Sequence, residues 1–180
     1  IEIKNSEKSK NIDIEDVIYC GQLDFEINGK VQKKDVYLMK KDVNVRFLNA
    51  DENYVEYLEE AIAFDDKGSW LLDDSIDEDI IWDLEDFRFS SFTYGLFLAD
   101  KLIGLMMINF TKDENEGLTF DTSIIIDPQY RRCGMGNFLF QKVINDLKER
   151  SNLINSLQTT IYADNVASQQ LVLRNGFVFQ

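Results

Sequence analysis

The stretch from Ile124 to Asn137 constrains the fold of this chain more than any other part of the sequence. It begins with three isoleucines, passes through a pair of arginines, and reaches Gly134 and Gly136 just before an apolar pattern of helical spacing. A β-branched run followed by a turn and a helix predicts a strand–loop–helix unit. Glycines let a backbone approach a ligand closely, and the first amides of a helix attract anions. The stretch therefore predicts an anion-binding loop.

Two common phosphate-binding patterns do not fit this loop. The dinucleotide-binding fingerprint needs a third glycine, which the sequence from Gly134 to Leu139 lacks. The P-loop needs a Gly-Lys pair followed by Ser or Thr, and none follows here. Taken alone, the loop is equally compatible with a strand-to-helix turn that binds nothing.

The hydrophobic periodicity around the loop predicts a mixed α/β fold with a central sheet flanked by helices. Strands are expected over residues 43–48, 92–99, 102–110, 118–126 and 157–163, with the start of a last strand at 177–179. Helices are expected after a cap at Asp51, over residues 75–87, from about 138, and over 167–174. The three strands between residues 92 and 126 are expected to form an antiparallel meander.

The dipeptide Asn28-Gly29 lies between two apolar runs and predicts an N-terminal β-hairpin, because both residues tolerate positive φ. The chain is thus divided into an extension, residues 1–42, and an α/β domain, residues 43–180. We hypothesise that the hairpin completes the sheet, within its own chain or by exchange with a second chain in a homodimer. The alternative is that the hairpin is the tail of a preceding domain and packs elsewhere.

Charge limits the classes of partner. Acidic residues outnumber basic ones by 33 to 19, for a formal net charge of -14. Such a surface repels phosphate backbones and suits a cationic small molecule or basic peptide, so no nucleic acid partner is expected. The longest apolar run is far below the ~20 residues that cross a bilayer, so a cytoplasmic location without membrane association is expected. With no histidine and two cysteines, no metal site is expected.

The loop resembles the acetyl-CoA pyrophosphate loop of the GNAT family, the GCN5-related N-acetyltransferases. The family pattern is Arg or Gln, two residues, Gly, one residue, then Gly or Ala, and Arg131, Gly134 and Gly136 fit it. A second family motif, in which an Asn opens a helix and a Gly-Phe pair closes it, resembles Asn165, Ser168, Leu171 and Gly176-Phe177.

The resemblance implies acetyl-CoA as cosubstrate and a set of residues that bind it. The backbone of Ile124 and Ile126 would pair with the pantetheine arm, and Asn165 would contact the same arm. Asn165 is equally suited to be a helix N-cap. The pyrophosphate would lie on the loop, which comprises Arg131, Arg132, Cys133, Gly134, Met135, Gly136 and Asn137.

The catalytic residues depart from the family pattern. Many relatives carry an acid or His at the positions of Phe120 and Thr122, and neither residue here can act as a base. Asp121 and Glu116 are the nearest acids, but strand alternation turns Asp121 to the opposite face unless a bulge re-aims it. Asp121 is therefore a candidate base, and a structural or surface role is the alternative that we favour.

The family's general acid, a Tyr, falls on Val172, which leaves Ser168 as a candidate to stabilise the thiolate. The alternative, which we favour, is that a small residue is needed at this position for packing alone.

The resemblance implies an acyl-CoA-dependent N-acetyltransferase that acts on a primary amine of a small cationic molecule or peptide. The alternative is an acyl-CoA-binding regulatory domain without catalysis. Residues 65–86 include ten acidic side chains and map onto the region that covers the acceptor pocket in the family. They suit a cationic acceptor, and equally a solvated face that keeps the protein soluble.

Overall fold

The computed structural model describes residues 17–27, 30–65, 91–113, 117–150 and 156–179. The strands are β1 (Val17–Ile27), β2 (Lys30–Met39), β3 (Val43–Phe47), β4 (Ser91–Leu98), β5 (Lys101–Asp113), β6 (Gly117–Ile126) and β7 (Leu157–Gln158). The helices are α1 (Tyr54–Ile62), α2 (Met135–Arg150) and α3 (Val166–Arg174), with short 3-10 turns at Lys40–Asp42 and Pro128–Tyr130.

A five-stranded sheet in the order β3-β4-β5-β6-β7 forms the centre of the fold. Its first four strands pair antiparallel, as expected for a meander, and β6 pairs with β7 in parallel. The predicted α/β class, with a mixed sheet flanked by helices and an N-terminal hairpin, is confirmed. Among the described residues, no helix is long and apolar enough to cross a membrane.

The two faces of the sheet bury two separate apolar clusters. On one face, Phe120 packs with α2 together with three residues of β5, which are Ile103, Met106 and Ile108. On the other, Ile125 packs with Tyr54 and Leu58 of α1. Because β5 is covered on both faces, its residues 102–108 are all buried, and the segment is apolar without interruption except for Gly104. The long apolar run in the sequence is therefore a central strand.

The start of α1 differs from the sequence prediction. Asn53, not Asp51, is the residue that precedes the first helical turn. The Asp51 carboxylate instead accepts the Asn53 amide at 3.0 Å, which forms a side-chain turn ahead of the helix. Ala61 takes the buried position near the end of the helix, and Ile62 is exposed. The helix predicted over 75–87 lies outside the described residues.

The C-terminal strands are shorter than predicted. The strand expected over 157–163 pairs only at Leu157 and Gln158, because the chain turns away from β6 after the Thr159 hydroxyl bonds the Thr122 carbonyl at 2.9 Å. Residues 177–179 are not a strand. Val178 and Phe179 are exposed, and among the described residues no strand lies beside them to complete a ladder.

The N-terminal hairpin forms as predicted, with β1 and β2 paired antiparallel. Within this chain it does not complete the large sheet, and that form of the hypothesis is corrected: in the described residues the hairpin is a separate two-stranded sheet. The reason is geometric, since β2 leads through three residues into β3, the edge strand opposite β7. Exchange with a second chain stays a prediction.

Candidate functional site

The parallel strands β6 and β7 separate halfway along β6. They pair only at Phe120 and Asp121, whereas β6 continues to Ile126. The Thr122 carbonyl points toward β7, because it accepts the Thr159 hydroxyl. Backbone groups two residues apart on a strand point the same way, so those of Ile124 and Ile126 also point into the gap. No strand in the described residues pairs with them on that side.

A buried carboxylate shapes the turn that follows β6. One oxygen of Asp127 accepts the Gln129 amide at 2.9 Å, and the other bonds Lys101 Nζ at 3.2 Å. The hydrogen bond to Asp127 is the main cause that raises the pKa of Lys101. Asp127 also donates its amide to the Ile103 carbonyl at 3.0 Å, so the turn is tied to β5. The loop therefore starts from a fixed point at the end of the sheet.

The loop contains two residues in the left-handed region. Arg132 has a φ of 61° and Gly134 a φ of 75°. Backbones in which left-handed residues alternate with other conformations form concave nests whose amides converge on an anion. Glycine adopts this conformation at no steric cost, whereas at Arg132 it is strained and costs roughly 1–2 kcal/mol. Strained backbone of this kind is typical of binding sites.

The first turn of α2 adds three backbone amides to the candidate anion site. The Phe138 amide donates to the Gly134 carbonyl at 2.9 Å, which begins the helical ladder. The amides of Met135, Gly136 and Asn137 precede that bond and have no partner inside the helix. The Met135 side chain is buried in the core, which anchors this turn to the sheet. The helix start, with these three amides and the positive end of the helix dipole, thus lies next to Ile126, where the strand gap ends.

Arg131 does not direct its guanidinium at the anion site. Its Nε donates to the Ile126 carbonyl at 2.9 Å, and its Nη2 donates to the Phe64 carbonyl at 2.6 Å. The side chain thus ties the end of β6 to the segment that follows α1. Arg132, in contrast, is exposed and is the arginine of this pair whose charge is open to solvent. Cys133 is buried, and its Sγ donates to the Arg131 carbonyl at 3.4 Å.

The two sequence motifs meet at Gly136 and Asn137. A Cβ placed on Gly136 would lie 3.6 Å from Leu171 and 3.7 Å from Ile126, which is ordinary contact. The Asn137 side-chain oxygen accepts a bond from Asn175 at 2.9 Å. The start of α2 is thereby joined to the end of α3. The structure therefore brings the two motifs together.

Asn165 is the N-cap of α3. Its side-chain oxygen accepts the Ser168 amide at 3.1 Å, as the alternative interpretation of this residue predicted. Ser168 itself is half-buried on the first turn of the helix. Contact between Asn165 and a bound pantetheine stays a prediction.

Replacing Asn165 by alanine is expected to lower the free energy of unfolding by about 1 kcal/mol, because the Ser168 amide loses its partner. Chemical denaturation measures the change. Asn165→Asp keeps an acceptor at the cap and is the matched control, with most of the stability retained. Equal losses in both variants would contradict the capping role.

Asp121 lies on the face of the sheet that α1 covers. The β5–β6 register runs without a shift from Gly104 to Asp113, so alternation turns Asp121 away from Phe120, as predicted. Burial raises the pKa of the Asp121 carboxyl, against the opposing effect of a backbone bond from Thr122. Its cross-strand partner is Asn109, whose side-chain oxygen is buried without a hydrogen-bond partner in the described residues.

These placements define the candidate site. The predicted cofactor residues from Ile124 to Asn137 lie along one continuous path, from the strand gap to the start of α2. Asp121 and Ser168 lie on different elements, and among the described residues no hydrogen bond joins them. The sequence patterns do not predict the bridging role of Arg131 or the cross-strand position of Asn109 beside Asp121. Asn109 is the first polar residue after the apolar run of β5, which is a local signal, whereas nothing in the sequence near Arg131 indicates that it bonds Phe64.

Comparisons with known proteins identify the family of this chain. The sequence profile of the Acetyltransferase (GNAT) family matches residues 52–177. The chain belongs to this family. No curated protein sequence matches the chain. The hairpin lies outside the matched residues.

Solved structures share the fold at low sequence identity. A GNAT-family acetyltransferase from Streptococcus pneumoniae has a TM-score of 0.62 and 21% identity, over 77% of this chain and 86% of that one. An aminoglycoside acetyltransferase from an uncultured soil metagenomic sample, solved with sisomicin, has a TM-score of 0.60 and 11% identity, over 78% and 91%. A predicted acetyltransferase from Clostridium acetobutylicum, solved with acetyl-CoA, has a TM-score of 0.56 and 16% identity, over 77% and 91%.

Proposed function

We propose that this protein is an N-acetyltransferase that transfers the acetyl group of acetyl-CoA to a primary amine of a small cationic molecule or peptide. The observation that carries the proposal is the loop after β6, where left-handed Arg132 and Gly134 precede three helix-start amides. Acetyl-CoA, when bound, supplies the acetyl group as an activated thioester. The relative solved with acetyl-CoA supports this cosubstrate.

The loop fits a pyrophosphate in number and type of donors. The amides of Met135, Gly136 and Asn137 lack helical partners, and the exposed Arg132 adds a positive charge. Each charge-assisted bond contributes about 1.5–3 kcal/mol, so three or four account for most of the ~8 kcal/mol of a micromolar complex. The gap beside β6 offers the backbone of Ile124 and the Ile126 amide to an extended ligand. The Ile126 carbonyl is occupied by Arg131.

We assign the acceptor to the α1 face of the sheet. An alkylamine of pKa ~10.4 is protonated at neutral pH and must lose a proton before it attacks a thioester. Asp121 lies on that face, and burial raises the pKa of its carboxyl, which suits a base that also releases its proton. The acidic stretch after α1 begins at Asp65 and favours a cationic acceptor by charge. The aminoglycoside acetyltransferase among the similar structures supports this class.

A second candidate is an acyl-CoA-binding regulatory domain without catalysis. Val172, at the position of the family's tyrosine acid, favours it, because a buried valine can donate no proton to a leaving thiolate. Restoring a tyrosine there is a poor test, since overpacking a buried site costs about 1–3 kcal/mol. Ser168, one turn earlier on the same helix, is the remaining hydroxyl of the second motif.

The release of thiol from acetyl-CoA in the presence of a panel of amines distinguishes the two functions. The panel should include polyamines, aminoglycosides and a lysine-containing peptide, with a neutral alcohol as control. Amine-dependent release is expected from the enzyme. Tight binding of CoA without release above background for any amine would favour the regulatory domain.

A further inference from the structure

The N-terminal hairpin reaches the loop that we assign to the cofactor. A Cβ placed on Gly134 would lie 3.9 Å from Ile18 Cγ2, the nearest side-chain atom to that position. Ile18 is half-buried and packs against the core cluster that contains Leu38, Cys133 and Met135. The first strand of the extension therefore lies beside the turn between β6 and α2.

Two features hold Ile18 in this position. Ile18 pairs across the hairpin with Leu38, which is only 5% exposed, so the base of the hairpin is inserted into the core. The chain then passes through a short 3-10 turn into β3, and the Asp42 carbonyl accepts the Ala99 amide at 2.8 Å. Strand alternation turns the neighbouring Tyr19 outward, where it is exposed. The hairpin thus presents one apolar face to the loop.

The hairpin does not cover the loop. Arg132 and Gly134 remain exposed with the hairpin in place, whereas Ile18 is half-buried and the Cys133 side chain is buried. A lid would instead bury the loop backbone and leave its own apolar residues with few contacts in the core. The apolar face of the hairpin base therefore lies beneath the turn.

We propose that the hairpin is a structural part of the cofactor site, in which Ile18 packs beneath the turn and holds its backbone in the ligand-binding conformation. The turn needs such support, because Arg132 is held at a φ of 61°, where an L-residue is strained. The inference rests on the proposed function, since it assumes that CoA binds at this loop. It extends the site beyond residues 52–177, the part that the family profile matches.

Truncation of Ile18 tests this role. Calorimetric titration with CoA of the full chain carrying Ile18→Ala is expected to show affinity about tenfold weaker than wild type, because the turn relaxes when its support is removed. Val31→Ala, an apolar truncation at a position of the hairpin that is 70% exposed, is the matched control and should stay within about twofold. If Ile18→Ala loses its cooperative unfolding transition, Ile18→Thr replaces it under the same criteria.

The outcomes distinguish a failure of the proposed function from a failure of this inference alone. A wild-type chain that does not bind CoA overturns the proposed function and this inference with it. Binding by wild type with affinity unchanged in a folded Ile18 variant overturns this inference alone. Tighter binding by the Ile18 variant also overturns it, because that result identifies the hairpin as a lid.

Discussion

Replacing Gly134 by valine is expected to weaken CoA binding about a hundredfold or more while the protein still folds cooperatively. Gly134 has a φ of 75°, and a β-branched residue there is a steric outlier, so the turn must change its backbone conformation. Two or more amides then leave the anion site, each worth about 1.5–3 kcal/mol as a charge-assisted bond. Isothermal titration calorimetry with CoA measures the loss.

Gly176 provides a matched control for this substitution. It has a φ of 88°, and a Cβ there would meet nothing within 4 Å. Gly176→Val thus introduces similar backbone strain at the end of α3, and both variants should lose about 1–2 kcal/mol of stability. CoA affinity should fall only in Gly134→Val. Wild-type affinity in a folded Gly134→Val protein would contradict the assignment of the loop.

Replacing Asp121 by asparagine is expected to lower kcat by about 10²-fold or more, because the acceptor amine loses its base. The same change should raise stability at pH 7. Burial raises the folded-state pKa of Asp121 above its unfolded value, so the native state holds the proton more tightly. Stability is therefore lost as pH rises between the unfolded and folded pKa values. A neutral asparagine side chain at this position would remove that loss. The difference in the free energy of unfolding between Asp121→Asn and wild type should therefore vanish under more acidic conditions, where Asp121 is protonated in both states.

Measurements of kcat and of stability together distinguish a catalytic role of Asp121 from a structural one. A base role predicts slower turnover with unchanged CoA affinity, and a rate for wild type that falls as pH drops through the raised pKa. Glu149→Gln removes one exposed charge on α2 and should leave kcat unchanged. A folded Asp121→Asn protein with wild-type kcat and only greater stability would assign Asp121 a structural role.

The elements that the sequence predicts best are those with local causes. The strand–loop–helix from Ile124 to α2 follows from a β-branched run, two glycines and a helical apolar pattern. Asn165 was a predicted cap because the acceptor and the amide it satisfies lie three residues apart. The face of the sheet on which the Asp121 side chain lies follows from strand alternation alone, since the β5–β6 register is uninterrupted.

Features that depend on distant partners were not predictable from the sequence. The two-residue pairing of β6 with β7 depends on where Thr159 turns away, and no local signal marks that point. The position of the hairpin depends on the packing of Leu38 and Ile18 into the core near Cys133. Alternation within the hairpin does not predict where in the core these residues pack. Arg131 was expected at the anion site because of its charge. Two backbone carbonyls, one of them 67 residues away, hold its side chain instead.

A crystal structure of the full chain with CoA would show whether the loop after β6 binds the pyrophosphate. We expect pyrophosphate oxygens within hydrogen-bond distance of the amides between Arg132 and Asn137, and the pantetheine arm in the gap beside Ile124. CoA bound elsewhere on the molecule, or a pyrophosphate that contacts none of these amides, would contradict this expectation.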